Sequence, residues 1–171
     1  GWLLKPSNFS EENQYPLLMF QYSGPGSQQV MNQFSIGNMW WYQMLAQNGY
    51  IIVCVDGTGT GFRGEEFKKK TYLQLGKYES DDQIAVAKYF AQQPNIDSTR
   101  IGIWGWSYGG YMSSICLLKG ADIFKVKAED YSDYIITDTL FDAGDIIQLD
   151  VNSDAVHLLS DGIEILSSDK S

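Results

Sequence analysis

Ile101-Gly102-Ile103-Trp104-Gly105-Trp106-Ser107-Tyr108-Gly109-Gly110-Tyr111-Met112 is the stretch that decides how this chain folds. Arg100 to Trp104 reads as a strand, and Gly109 to Leu118, apolar and small, reads as a helix leaving it. Between them Gly105-Trp106-Ser107-Tyr108-Gly109 forms a G-x-S-x-G, which puts Ser107 on a sharp strand-to-helix turn. Side chains at 105 and 109 would clash with the adjoining strand and helix, so both positions call for glycine. The turn lifts the serine hydroxyl above the sheet and aims the Tyr108 N–H, at a helix start, towards a developing oxyanion. The plainer reading is a glycine-rich tight turn. The strand before and the helix after favour a nucleophile.

Working outward, Pro16 to Tyr22 reads as a buried strand ended by Ser23-Gly24-Pro25-Gly26. Met39 to Gln47 reads as a helix closed by Asn48-Gly49. Tyr50 to Val55 is apolar and β-branched, as in a strand covered on both faces. A glycine-rich loop, Asp56-Gly57-Thr58-Gly59-Thr60-Gly61, follows and is expected to be flexible. Ser80-Asp81-Asp82-Gln83 has capping-box spacing, with Ser80 as N-cap. Its helix is expected to run on until Pro94. Strands alternating with helices imply a mainly parallel sheet with helices on both faces and chemistry at the C-terminal strand edges. The expected fold class is α/β: a partial α/β-hydrolase, incomplete at its C-terminal half.

The charge is unevenly spread. The chain of 171 residues carries a net charge of −9. Residues 1–127 hold 10 Asp and Glu against 11 Lys and Arg, whereas residues 128–171 hold 11 against one. The reading therefore divides the chain into a nucleophile-bearing part, 1–127, and an acidic tail, 128–171, of unsettled assignment. Neither part has the basic face that nucleic acid requires. No run of 18 apolar residues suggests a membrane span. The N-terminus, without Met or an export signal, reads as excised from something longer. Cys54 and Cys116 sit in apolar runs and read as buried free thiols.

With these segments in place, Gly105-Trp106-Ser107-Tyr108-Gly109-Gly110-Tyr111 resembles the nucleophile segment of the prolyl oligopeptidase family, in particular its dipeptidyl peptidase IV branch. Tyr15-Pro16-Leu17-Leu18 with Tyr22-Ser23-Gly24-Pro25 resembles that family's first core strand and oxyanion loop. Asp56 to Gly61 resembles its glycine loop, and Gly76 to Gln83 its acidic helix start. The resemblance covers Gly1 to about Lys127. It implies a serine peptidase that takes a peptide with a free N-terminus, needs no cofactor or metal, and works in the periplasm or outside the cell. It implies that the Tyr22 hydroxyl joins the Tyr108 N–H in holding the oxyanion. Without it, Tyr22 would read as a strand-end aromatic packed on the core. It also implies that Tyr108 lines the pocket for the substrate's penultimate residue, commonly proline or alanine. A propeller domain and the remainder of the hydrolase domain are implied as missing. Two departures stand out: Thr58 occupies a place where the family usually has Arg, and Lys127 to Asp133 is polar where an apolar strand is expected.

A serine needs a base, and the α/β-hydrolase order is Ser, then Asp or Glu, then His. The resemblance places the acid roughly 70–80 residues past the serine, and His later still. The single histidine, His157, lies within Ala155 to Leu166, which reads as a β-hairpin turning at Asp161-Gly162. His157 is a candidate base, with Asp138, Asp142, Asp145 and Asp150 as candidate orienting acids, but a packed or surface histidine is the simpler reading. The chain alone is therefore expected to lack a complete triad. Two alternatives stand beside the peptidase: a non-catalytic fragment or interaction module that keeps the turn, and a general serine esterase.

Three weaker patterns are set aside. Gly59-x-Gly61-x-x-Gly64 matches a dinucleotide fingerprint, but Asp56-Gly57-Thr58 separates it from the strand and no acidic residue follows at the right distance. Asp150-x-Asn152-x-Asp154 opens like a calcium loop, yet Ala155 stands where Gly is needed and Asp161 where Glu is usual. Lys68-Lys69-Lys70 reads as a solvated charge run.

Overall fold

The computed structural model describes residues 1–32 and 39–124, and the strand pairing of 147–151, 155–160 and 163–169. In the first part the elements are β1 (Trp2–Leu4), β2 (Tyr15–Phe20), α1 (Met39–Gln47), β3 (Ile51–Cys54), α2 (Glu65–Lys69), α3 (Tyr78–Ala91), β4 (Ile96–Trp104) and α4 (Tyr108–Lys119). The four strands form one sheet in the order β1-β3-β2-β4. β2 runs parallel to both β3 and β4, and β1 closes the edge antiparallel to β3. The sheet is thus mixed and small, where the sequence suggested a mainly parallel one. β1 is three residues long and gives no periodic signal by which its direction could be read.

The alternation of side chains along each strand builds two cores. Leu17, Met19, Ile51, Val53, Ile101 and Ile103 face one side and pack with Ala87 of α3 and Cys116 of α4. Phe20, Ile52 and Cys54 face the other and pack with Tyr42 of α1, with Leu18 and Trp104 alongside. This period of two, buried on both faces, is what parallel β-α-β units require. Helices therefore cover both faces, as the alternation of strands and helices implied. Cys54 and Cys116 are free and buried. Burial pushes the Cys116 thiol up to about 12.

Two local expectations need correcting. α3 begins at Tyr78, so Ser80 is no N-cap: its hydroxyl donates back to the carbonyls of Gly76 (2.6 Å) and Lys77 (3.0 Å). Gln83 does not reach back to it. Gln83 Nε2 donates instead to the Val55 carbonyl at the end of β3, at 2.9 Å. Gly76, at φ +84°, makes the left-handed bend that lets the helix start earlier. Nor is the Asp56–Gly61 loop loose. The Gln29 and Val30 N–H groups donate to the Asp56 carboxylate at 2.9 and 2.8 Å, and the Thr58 N–H donates to Asp82 at 2.6 Å.

In the acidic tail, β5 (Ile147–Val151), β6 (Ala155–Ser160) and β7 (Ile163–Asp169) form an antiparallel sheet in that order. β6 and β7 pair with Ser160 opposite Ile163, the hairpin expected around Asp161-Gly162; those two residues themselves lie outside the described ones. Lys127 to Asp133, Asp138, Asp142, Asp145, and Asn152 and Asp154 of the calcium-like stretch also lie outside them. Among the described residues no helix is long and apolar enough to cross a membrane.

Candidate active site

β2 and β4 lie side by side and parallel, so their C-terminal ends open on the same sheet edge. After Trp104 the chain turns through Gly105 and Trp106 into Ser107, at φ 55° and ψ −123°. A positive φ is disfavoured for any residue with a Cβ. It persists here because the surroundings leave the chain no other path. The Gly109 N–H donates to the Trp106 carbonyl at 2.9 Å, closing a four-residue turn with Ser107 as its second residue. α4 starts directly afterwards.

The flanking glycines meet the neighbouring strand, as the motif's geometry requires. A Cβ on Gly105 would overlap the Gln21 carbonyl oxygen, and one on Gly109 would lie 2.5 Å from that same oxygen and 3.1 Å from the Tyr22 Cα. One backbone carbonyl thus sets both glycine positions. The Gln21 side chain, fully buried, secures the same junction: its Nε2 donates to the Gly109 carbonyl and, at 3.0 Å, to Ser113 Oγ. Sequence reasoning missed Gln21, because it reads as one more position of the strand Pro16 to Tyr22, and its partners lie 88 and 92 residues away.

Ser107 is exposed at the lip of the sheet, makes no helix-capping hydrogen bond, and has no side-chain hydrogen bond among the described residues. Serine at such a position usually caps its helix; the positive φ turns the side chain away from that task. Tyr108, the first residue of α4, has a backbone N–H with no acceptor in its own helix. Tyr22, one turn of chain past β2, stands against this corner, its ring 5.8 Å from that of Trp106 and 6.2 Å from that of Tyr108. Gly24 makes room for it: a Cβ there would come within 2.5 Å of the Tyr22 ring. The structure thus brings Tyr22, Ser107 and Tyr108 together. His157 lies in β6, in register with Asp150 of β5 and Ser167 of β7.

A second residue overlooked in the sequence is Glu79. It is fully buried in the first turn of α3, and its Oε1 accepts the Tyr108 hydroxyl at 2.9 Å. Burial first, then the hydrogen bond and charge of Glu79, raise the Tyr108 phenol well above the usual tyrosine range. The phenol therefore stays neutral, a hydrogen-bond donor, at any physiological pH. Among the described residues no group of three His, Cys, Asp or Glu side chains could hold a metal ion.

A serine raised on a strained turn between a parallel strand and a helix, beside the Tyr108 N–H that starts that helix and the Tyr22 ring, defines the class: an α/β protein with a hydrolase-type serine turn. The chain belongs to the prolyl oligopeptidase family, whose model matches residues 36–157. It is 42% identical over 123 residues to prolyl endopeptidase FAP of Mus musculus, covering 72% of this chain and 16% of that protein. It is 49% identical over 110 residues to a "Probable dipeptidyl-aminopeptidase B" of Arthroderma otae, covering 64% of this chain and 12% of that one. Among solved structures, Porphyromonas gingivalis dipeptidyl peptidase 4 superposes with a TM-score of 0.69 at 54% identity, over 72% of this chain and 17% of that one. The chain therefore spans less than a fifth of the length of these relatives. The relatives are peptidases, and the family match reaches beyond residue 127 into the acidic tail.

Proposed function

We propose that this chain is the nucleophile-bearing part of a serine peptidase that releases N-terminal dipeptides, with Ser107 as the attacking residue. The observation that carries the reading is Ser107 itself: exposed, at positive φ, on a turn held by Gly105 and Gly109 against the Gln21 carbonyl. The serine hydroxyl loses its proton to a base as Oγ bonds the scissile carbonyl carbon. The Tyr108 N–H and the Tyr22 hydroxyl receive the oxyanion charge. Collapse breaks the C–N bond, the base returns its proton to the leaving amine, and water then releases the dipeptide acid. No metal or cofactor enters this scheme.

In this reading residues 1–127 are hydrolase domain, and the base, the orienting acid and the recognition of the substrate's free amine come from the remainder of a protein of the relatives' length, including a propeller domain. A periplasmic or extracellular setting accords with that reading. The chain by itself is then a poor catalyst, since removing the base costs most of the rate and leaves what binding and the oxyanion hole supply. His157, the single histidine, sits in a hairpin strand of the acidic tail, where a packed or surface role is the simpler reading, and this favours the division over a self-sufficient enzyme or esterase. The test is release of a dipeptide from an Ala-Pro or Gly-Pro chromogenic amide by the complete polypeptide. Activity abolished by Ser107→Ala supports the peptidase. Unchanged activity in that variant refutes it. For the chain alone, slow turnover indifferent to His157→Ala is expected, and fast turnover abolished by His157→Ala would overturn the division of labour.

A further inference from the structure

Consecutive residues at the start of α3 tie it to four other parts of the molecule. Ser80 Oγ and Asp81 Oδ1 accept Lys119 Nζ at the far end of α4, at 2.7 and 2.8 Å. Asp82 accepts the Thr58 N–H of the glycine loop. Gln83 donates to the end of β3, and its Nε2 lies 3.4 Å from Ser23 Oγ, next to Tyr22. Glu79 accepts the Tyr108 hydroxyl.

Of these, Glu79 is the costly one. It is fully buried, and its second oxygen, Oε2, makes no hydrogen bond among the described residues. Burying a carboxyl group for one neutral partner is unfavourable. If only packing were at stake, an apolar pair of similar volume would serve at least as well. What the hydrogen bond adds is direction. Tyr108 follows the strained Ser107, and its ring lies between Tyr22 and Tyr111, whose ring centroid is 5.5 Å away. The Gly109 to Trp106 bond holds the backbone on one side of Tyr108, and the hydroxyl of its side chain is tied on the other.

The geometry points to Glu79 as a positioning residue of the serine turn: by accepting the Tyr108 hydroxyl it fixes the Tyr108 ring, and through that residue's backbone the N–H offered to the oxyanion. The inference rests on the proposed function, but its test does not require turnover.

Glu79 from α3 accepts the Tyr108 hydroxyl, and the rings of Tyr111 from its own helix and of Tyr22 from beyond β2 lie against the Tyr108 ring. Amide and tyrosine-ring NMR signals of the chain would be followed in the wild type, E79Q, E79A and Y108F. E79A and Y108F are expected to shift the Tyr108 and Gly109 amide signals, while E79Q, whose amide oxygen still accepts the hydroxyl, leaves them near their wild-type positions. In alkaline titration the wild-type Tyr108 ring should stay protonated above the usual tyrosine range. E79A, which removes the hydrogen bond and the charge of Glu79, should bring its midpoint down towards that range. If E79A and Y108F lower the melting temperature but leave both amides in place, Glu79 is only structural and the assignment fails. It fails equally if E79Q moves the amides as far as E79A does. A Ser107 that never reacts would sink the peptidase reading without touching this readout, and unmoved amides would sink Glu79 without touching that reading.

Discussion

Two serines in this molecule share a disfavoured backbone conformation at the same sheet edge. Ser23, just past β2, has φ 60°, and Ser107, past β4, has φ 55°. Their surroundings differ completely. Ser23 is 2% exposed and sits under α3 beside Gln83. Ser107 is exposed and free of capping duty. A strained serine is therefore no nucleophile by virtue of its strain. What distinguishes Ser107 is the cause of its strain. The Gln21 carbonyl blocks a Cβ on either side, forcing a corner too tight to fold over the hydroxyl. At Ser23 the neighbouring glycine, Gly24, yields only to a side chain, the Tyr22 ring.

The sharpest way to break this comparison is to add a methyl group to each corner. Gly109→Ala must displace backbone, so thermal melting should show a loss of roughly 3 kcal/mol or more, or no folded protein. Gly24→Ala needs only the Tyr22 ring to swing away and should cost about 1 kcal/mol. Equal losses in the two variants would mean that the Gln21 carbonyl does not build the turn.

A smaller effect sharpens the same contrast. Ser107→Gly relieves a positive φ at an exposed site and should stabilise the fold by about 0.5–1 kcal/mol, after the extra chain entropy of glycine is set against it. Ser23→Gly relieves a similar φ but gives up a buried side chain, so its net change should lie close to zero. A melting temperature lowered by Ser107→Gly would show that the turn is not strained.

The smallest effect lies away from the site. Hydrogen bonds from the Thr99 hydroxyl and from Arg100 lower the Asp97 carboxyl to about 2. A depressed folded-state value gives stability that is complete above the unfolded value near 4 and is lost as the pH falls through about 2. Because the pair lies at the surface, with Arg100 about half exposed, solvent screening leaves only a few tenths of a kcal/mol. Asp97→Asn should therefore be slightly less stable than the wild type at neutral pH, with the gap closing between about pH 4 and pH 2. A gap that persists at low pH would remove the carboxylate as its source.

How much of this was legible depended on how local the governing contact is. The α1 boundaries, the strand-turn-helix around Ser107 and the pairing of the tail hairpin follow from periodicity and turn residues, and they appear where the sequence places them. The direction of β1 could not be read from three residues, and β4 begins at Ile96, four residues before the expected Arg100. Ser80 illustrates the harder case. The spacing to Gln83 suits a cap, but the Ser80 hydroxyl turns back to the carbonyls of the preceding turn, and Gln83 is drawn to the Val55 carbonyl by a contact across the fold that local spacing does not show. Glu79 was lost among the acidic residues that suit a helix start. Its partner, Tyr108, is 29 positions away, a separation no local pattern reveals. Tyr22 came from family resemblance, and the structure sets its ring against the serine turn.

Treating the complete polypeptide with a fluorophosphonate and mapping the adduct by mass spectrometry tests most directly whether this corner presents a nucleophile. The account predicts one modified peptide, carrying the phosphonyl group on Ser107 and missing from Ser107→Ala, with Ser23 untouched. An adduct on another serine, or one that survives Ser107→Ala, would contradict it.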